Sequence, residues 1–149
     1  MADTGGRRNE KPLTYEQFNH AKEYAVSLGV SERDVIYEPD TPTCYAFGTL
    51  VIGTDVVPLP ERSKHPNDNI SIKGGIAHEI VGHREAELSG RSQSVKPMEE
   101  AQASIRAARF APGLSLGERI DLIRDGINRL HNAKFSLREV KNTLFINER

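Results

Sequence analysis

A single cysteine, Cys44, serves the whole chain of 149 residues, and tryptophan is absent. One cysteine cannot close an internal disulfide or assemble a cysteine-rich zinc site, so a buried core has to carry the fold. Long apolar runs are missing as well: nothing approaches the roughly 18 consecutive apolar residues that suggest a membrane helix. The stretch from Met1 to Pro12 carries Arg7 and Arg8 but no apolar signal region behind them. The expected setting is the cytoplasm, unless the chain is a piece of a longer exported protein, and no membrane partner is expected. Neither sign of charge dominates. With 20 Lys and Arg against 21 Asp and Glu, the formal net charge is -1. That provides no basic field to gather phosphates by counter-ion release, so nucleic acid is not an expected partner.

What remains suits an ordinary globular domain, since 37% hydrophobic and 28% charged residues can supply a single core at this length. Residues 1–12, rich in Gly, Arg, Asn and Asp, read as a flexible lead-in or linker, and 13–149 as one domain. Thr14 with Gln17 forms a capping-box pattern, and Phe18, Ala21, Ala25 and Leu28 keep helical spacing up to Gly29. Between Val35 and Leu59, short β-branched and aromatic runs punctuated by Gly48-Thr49 and Gly53-Thr54 predict a mostly antiparallel meander. Pro58 and Pro60 confine its last strand to an edge, where a peptide can add. Helices follow: Ile76 to about Leu88, Pro97 to about Phe110, then two opened by Ser115 with Glu118 and Ser136 with Glu139. Leu116, Ile120, Ile123, Ile127 and Leu130 make the apolar stripe of the first of these two. The expected fold class is α+β, a compact domain with a short, mostly antiparallel sheet packed with about five helices.

The chemistry lies in His78-Glu79-Ile80-Val81-Gly82-His83. Zinc enzymes commonly hold their ion with imidazoles from one helix and a carboxylate from a second, leaving a position for water. The glutamate beside the first histidine then acts as base. His78 and His83 fit the ligands, Glu79 fits the base, and Ile80 and Val81 anchor the helix in the core. The spacing departs from the usual four residues. At about 100° per residue, a separation of five turns His83 about 140° away from His78 in a regular α-helix. Both reach one ion only if the helix carries an extra residue as a bulge. Gly82, tolerant of distorted backbone and bare of a side chain, is placed for it.

This segment resembles the motif of dipeptidyl peptidase III, a zinc peptidase family in which the same expansion and the same glycine occur. The second motif of that family is a Glu-Glu pair followed two residues later by Arg-Ala and an acid. Glu99-Glu100-Ala101-Gln102-Ala103-Ser104 matches it in part. The resemblance implies Glu100 as third zinc ligand, and the broader gluzincin pattern, a glutamate with a small residue three positions on, here Ala103, implies the same. Gln102 and Ser104 stand at the family's basic and acidic positions, the chain is far shorter, and its two motifs lie closer together. The similarity covers about residues 74 to 110. The layout of meander, motif helix and Glu-Ala-Gln helix is also similar to compact gluzincins such as the ImmA/IrrE-type regulatory peptidases, which implies a zincin-like fold. The polar lead-in, the motif pair and the terminal Leu144-Phe145-Ile146-Asn147-Glu148-Arg149 resemble the toxin module of bacterial polymorphic (Rhs-type) toxins. That implies delivery into a competing cell and a cognate immunity protein.

The expected activity is hydrolysis of a peptide bond in a peptide or protein substrate, with Zn2+ as cofactor, His78, His83 and Glu100 as ligands and Glu79 as catalytic base. Other readings stay open. Glu99 competes with Glu100, Glu85 and Glu87 are rival carboxylates, and Cys44 as a fourth ligand would close the site into a structural one. Glu79, His83 and Glu87 also suit a polar row on an ordinary helix, with His78 a satisfied core histidine. The substrate is alternatively a non-peptide amide or ester, or the chain is a non-enzymatic interaction domain. Arg106 and Arg109 suit surface salt bridges or a substrate carboxylate. His20 and His65 are expected in solvent and His131 at a helix end, with these and Tyr45 as candidates to steady a tetrahedral intermediate.

Overall fold

The computed structural model describes residues 8–149. The Thr14 hydroxyl accepts the Gln17 amide and the Gln17 side chain accepts the Thr14 amide, so the capping box opens α1 (Tyr15–Ser27). Ala21, Tyr24 and Ala25 on this helix are buried. Three short strands follow, β1 (Val35–Tyr37), β2 (Cys44–Ala46) and β3 (Thr49–Ile52). The tight turn at Phe47 and Gly48 folds β3 back antiparallel to β2, with Tyr45 opposite Leu50. On its other side β3 takes β1 in parallel, with Val35 opposite Leu50. The sheet is therefore mixed, in the order β1-β3-β2, where the sequence suggested a mostly antiparallel meander.

The proline-bearing segment expected as a last edge strand forms none. Thr54–Val56 makes a single 3-10 turn, and the carbonyls of Asp55 and Val56 accept from the buried guanidinium of Arg8. The Val57 carbonyl accepts the Asn9 amide at 3.1 Å. The acceptors that a ladder would use are thus taken by the lead-in. Of that lead-in, residues 1–7 lie outside the described residues, while Arg8 and Asn9 are fixed to the body of the protein rather than loose.

The motif helix, α2 (72–88), is opened by Ser71, whose side chain accepts the Gly74 amide. It runs as an α-helical turn and a half (Ile72–Ala77), a π-helical stretch (His78–Arg84) and a last α-helical turn (Glu85–Leu88). Pro97 sits in the first turn of α3 (Lys96–Phe110). The Ser115–Glu118 capping box opens α4 (Leu116–Asn132), and Ser136 caps the short α5 (Leu137–Val140). Five helices and a small sheet make an α+β fold among the described residues. None of these helices is long and apolar enough to cross a membrane.

Two apolar clusters hold the elements together. One joins Ala21 and Ala25 of α1, Leu50 and Ile52 of β3, Ile80 and Val81 of α2, and Ala107 of α3. The other joins Met98 and Ile105 of α3 with Leu130, Val140, Leu144 and Ile146. Helix α3 belongs to both. It meets α2 at Gly82, where an added Cβ would stand 2.5 Å from the Ala103 carbonyl oxygen and 2.7 Å from the Ala103 Cβ. Gly82 is therefore demanded by close helix contact, not by a left-handed backbone.

Helix α4 buries the end of its expected apolar stripe, at Leu130, but leaves the first three stripe residues outside. Leu122, Asp125, Gly126, Arg129 and Leu130 are buried, whereas Leu116 is 75% exposed and Ile120 and Ile123 are also exposed. Burying an aspartate and an arginine in place of three aliphatic side chains requires partners for both charges. The site described next supplies them.

Candidate metal centre

The π-helical stretch brings the two motif histidines together. Its hydrogen bonding reaches five residues back, as from the Glu85 amide to the Ile80 carbonyl, so the turn closes over five residues rather than four. The His78 and His83 rings meet edge to face with centroids 4.7 Å apart, and their Nε2 atoms are separated by 3.1 Å. The extra residue needed to reconcile the five-residue spacing is present, spread over His78–Arg84 rather than confined to Gly82.

Helix α3 presents Glu100 to both rings, with Oε1 at 3.3 Å from His78 Nε2 and Oε2 at 2.9 Å from His83 Nε2. Glu79 stands slightly farther off. Its Oε2 is 3.9 Å from His78 Nε2, and its Oε1 accepts the Tyr45 backbone N–H at 3.3 Å. His78, Glu79 and His83 each offer a ligand atom within 4.8 Å of the others, a group that can hold a metal ion.

The far side of each ring is also anchored. His83 Nδ1 lies 2.7 Å from Glu99 Oε2; an ionised carboxylate only accepts, so Nδ1 carries the proton and Nε2 faces the site. His78 Nδ1 lies 2.8 Å from Ser104 Oγ. The Ser104 hydroxyl donates to Asp125 Oδ2 at 2.6 Å, and Arg129 Nε donates to the same oxygen at 2.7 Å. Arg129 Nη1 then approaches Glu100 Oε1 to 3.6 Å. Nothing in the sequence reading singled out Asp125 or Arg129. The available signal was their spacing of four, beside Leu122, Gly126 and Leu130 on one side of α4.

The electrostatics favour positive charge at the site. Burial opposes a charge on His83, yet Glu100 and Glu99 outweigh it and raise its pKa to about 10. Burial likewise opposes ionisation of Glu100, but hydrogen bonds and attraction from His78 and His83 hold it well below the usual carboxylate range. Glu99 is lowered in the same way, burial being overcome by His83 and the Gln93 amide. Glu79 goes the other way: burial pushes it up, and the neighbouring histidines only partly offset this.

An open groove of about 340 Å³ leads to the site, walled by Thr43, Cys44 and Tyr45 on one side and Glu87, Lys96 and Glu99 on the other. Burial and Glu79 push the Cys44 thiol up, which keeps it protonated. Glu85 is taken by Arg149 at 3.0 Å, and Glu87 is exposed at the rim. His20 and His131 are exposed, and His65 lines a separate hollow with Asp68. Among the described residues Arg106 and Arg109 form no salt bridge, and neither lines the groove. Arg106, only 1% exposed, donates to the carbonyls of Phe145 and Glu148, and Arg109 to Asn147 Oδ1. Comparison with family models, with curated proteins and with solved structures finds no match for the chain.

Proposed function

We propose that the chain is a zinc-dependent hydrolase of peptide bonds, with His78, His83 and Glu100 as ligands and Glu79 as catalytic base. The observation that carries this reading is the triangle of two imidazole nitrogens and a carboxylate, with separations of 3.1, 3.3 and 2.9 Å. Zinc bonds of about 2.0–2.1 Å in a tetrahedron place neighbouring ligand atoms roughly 3.3 Å apart. Two nitrogens and one oxygen also form a donor set suited to zinc, with a fourth position left for water. Glu100 is favoured over Glu99 because Glu99 is engaged by His83 Nδ1, and over Glu79 because Glu79 lies farther from His78, at 3.9 Å against 3.3 Å.

When bound, the ion supplies Lewis acidity, lowering the proton affinity of a water and drawing electron density from a carbonyl oxygen. Glu79 then handles the proton. Its Oε1 is fixed by the Tyr45 amide, which leaves Oε2 to take a proton from the attacking water and pass it to the leaving nitrogen as the C–N bond breaks. Water is thereby added across the bond and the carboxylate is restored. Burial raises the proton affinity of Glu79 and so makes it a better base. A peptide substrate is supported by β2, an edge strand of the sheet whose Cys44 and Tyr45 wall the groove. The resemblance to Rhs-type toxin modules suggests a protein target in a competing cell and a cognate immunity protein as partner.

Metal analysis of protein purified without added zinc tests the reading. About one equivalent of zinc is expected, falling below about a tenth in His78→Ala and Glu100→Ala. Glu79→Gln should keep the zinc and lose turnover of a peptide library. A wild-type protein with less than about a tenth of an equivalent of any transition metal, and no uptake on dialysis against zinc, would sink the proposal.

A further inference from the structure

We propose that Ser104, Asp125 and Arg129 form a positioning network through which α4, which contributes no ligand, orients both His78 and Glu100. The proposal rests on the metal reading of the same site. All three residues are buried, Ser104 and Asp125 completely and Arg129 to 4% exposure. A serine hydroxyl has one hydrogen to donate, and Ser104 gives it to Asp125 Oδ2 at 2.6 Å. Its oxygen can therefore only accept from His78 Nδ1, 2.8 Å away. His78 Nδ1 is thus held as a donor to Ser104, and Nε2 is left facing His83 Nε2 and Glu100.

Asp125 works through a second arm as well. It accepts Arg129 Nε at 2.7 Å, and Arg129 Nη1 has no hydrogen-bond partner of its own while lying 3.6 Å from Glu100 Oε1. The guanidinium is held between two carboxylates, one of α4 and one of the site. His83 receives its carboxylate directly from Glu99, whereas His78 receives one by relay through Ser104. The relay also accounts for the inward turn of α4, which buries Asp125 and Arg129 and leaves Leu116 exposed. Supports of this kind typically govern metal affinity by about 10–100-fold.

The test uses the full chain, with zinc affinity measured by competition against a chromophoric chelator and the His78 tautomer read from imidazole nitrogen shifts of metal-free protein. Ser104→Ala is expected to weaken zinc binding by about 10-fold or more, and Asp125→Asn similarly. The double variant should be no weaker than the worse single one, because both substitutions cut one path. The shifts should report an Nδ1 proton in the wild type and mixed tautomers in Ser104→Ala. Should Asp125→Asn fail to fold, Ser104→Ala, which removes a single oxygen, decides alone. Affinity within about twofold of wild type, or an unchanged Nδ1-protonated ring in Ser104→Ala, overturns the network. A wild type that binds no zinc overturns the metal reading instead, and the tautomer measurement still judges the network.

Discussion

At the scale of single residues, the proton on His83 lies where the proposed metal ion would sit. Burial disfavours the imidazolium, but Glu100 and Glu99 outweigh it and raise the pKa from 6.5 to about 10. A pKa raised on folding contributes stability that is complete below the unfolded value and is lost as pH rises through the folded value. Metal-free protein should therefore melt at progressively lower temperature between about pH 6.5 and about pH 10. Glu79, also raised, by burial before all else, acts in the same sense from lower pH. Glu100, lowered, contributes stability above its unfolded value of 4.5 and loses it on acidification. On the proposed zinc reading the ion would replace the His83 proton, so loaded protein should show little of the alkaline decline, and zinc binding should release protons and tighten as pH rises. Melting curves across this range with and without zinc check both statements. A metal-free melting temperature that is flat or rising over the window would contradict the charge balance described for the site.

At the scale of elements, the site depends on how closely α2 and α3 approach and on how the β2–β3 hairpin is turned. Gly82→Ala would put a methyl 2.5 Å from the Ala103 carbonyl oxygen, with backbone rather than a flexible side chain in its way. The helices must part, at a cost of about 1–3 kcal/mol, and Glu100 moves with α3. Both melting temperature and zinc affinity should fall, and an unchanged zinc affinity would show that the crossing does not set the ligand geometry. In the hairpin, Phe47 (φ 53) and Gly48 (φ 78) both adopt left-handed backbone, as a type I′ turn requires, yet phenylalanine is poorly suited to it and its side chain is fully exposed. Phe47→Asn should raise the melting temperature by about 3 °C, since it relieves strain with no packing to lose. Such local signals were readable in the sequence: the Thr14 and Ser115 capping boxes, Pro97 at the start of α3, and the need for a bulge between His78 and His83. The inward face of α4 was legible only at Leu130, because the stripe also takes in the exposed Leu116, Ile120 and Ile123, whereas the fold follows the pairing of Asp125 and Arg129 with the site. The parallel pairing of β1 with β3 was not legible, for strand direction is decided by the path of the chain and leaves no mark on strands of three and four residues.

At the scale of the whole molecule, the centre lies where helices from both apolar clusters converge, and the two ends of the described chain brace it. At the C-terminal end, Leu144 and Ile146 are buried and Arg106 grips the backbone around them. At the other end Arg8 reaches Asp55, Val56 and Asn67 carbonyls with Nε, Nη2 and Nη1. A polar, arginine-bearing end reads as linker because composition cannot reveal that a guanidinium will be buried against carbonyls. Burial lowers the Arg8 pKa to about 10, with Asp55, Asp68 and Asp125 pulling the other way, so the group remains charged at neutral pH. Its influence extends to the groove. The Asp55 carboxylate accepts both the amide and the hydroxyl of Thr43, and Thr43 and Tyr45 line the groove beside Glu79. Arg8→Ala removes three charge-assisted bonds and leaves carbonyls buried, a loss on the order of 3 kcal/mol. The melting temperature should drop by roughly 10 °C, and the Thr43 and Tyr45 amides should exchange with solvent faster because the segment that holds them is released. Arg8→Lys, able to reach fewer of the three carbonyls, should fall between. If Arg8→Ala melts with the wild type and protection at Thr43 and Tyr45 is unchanged, the lead-in is not the brace described here and the groove wall stands without it.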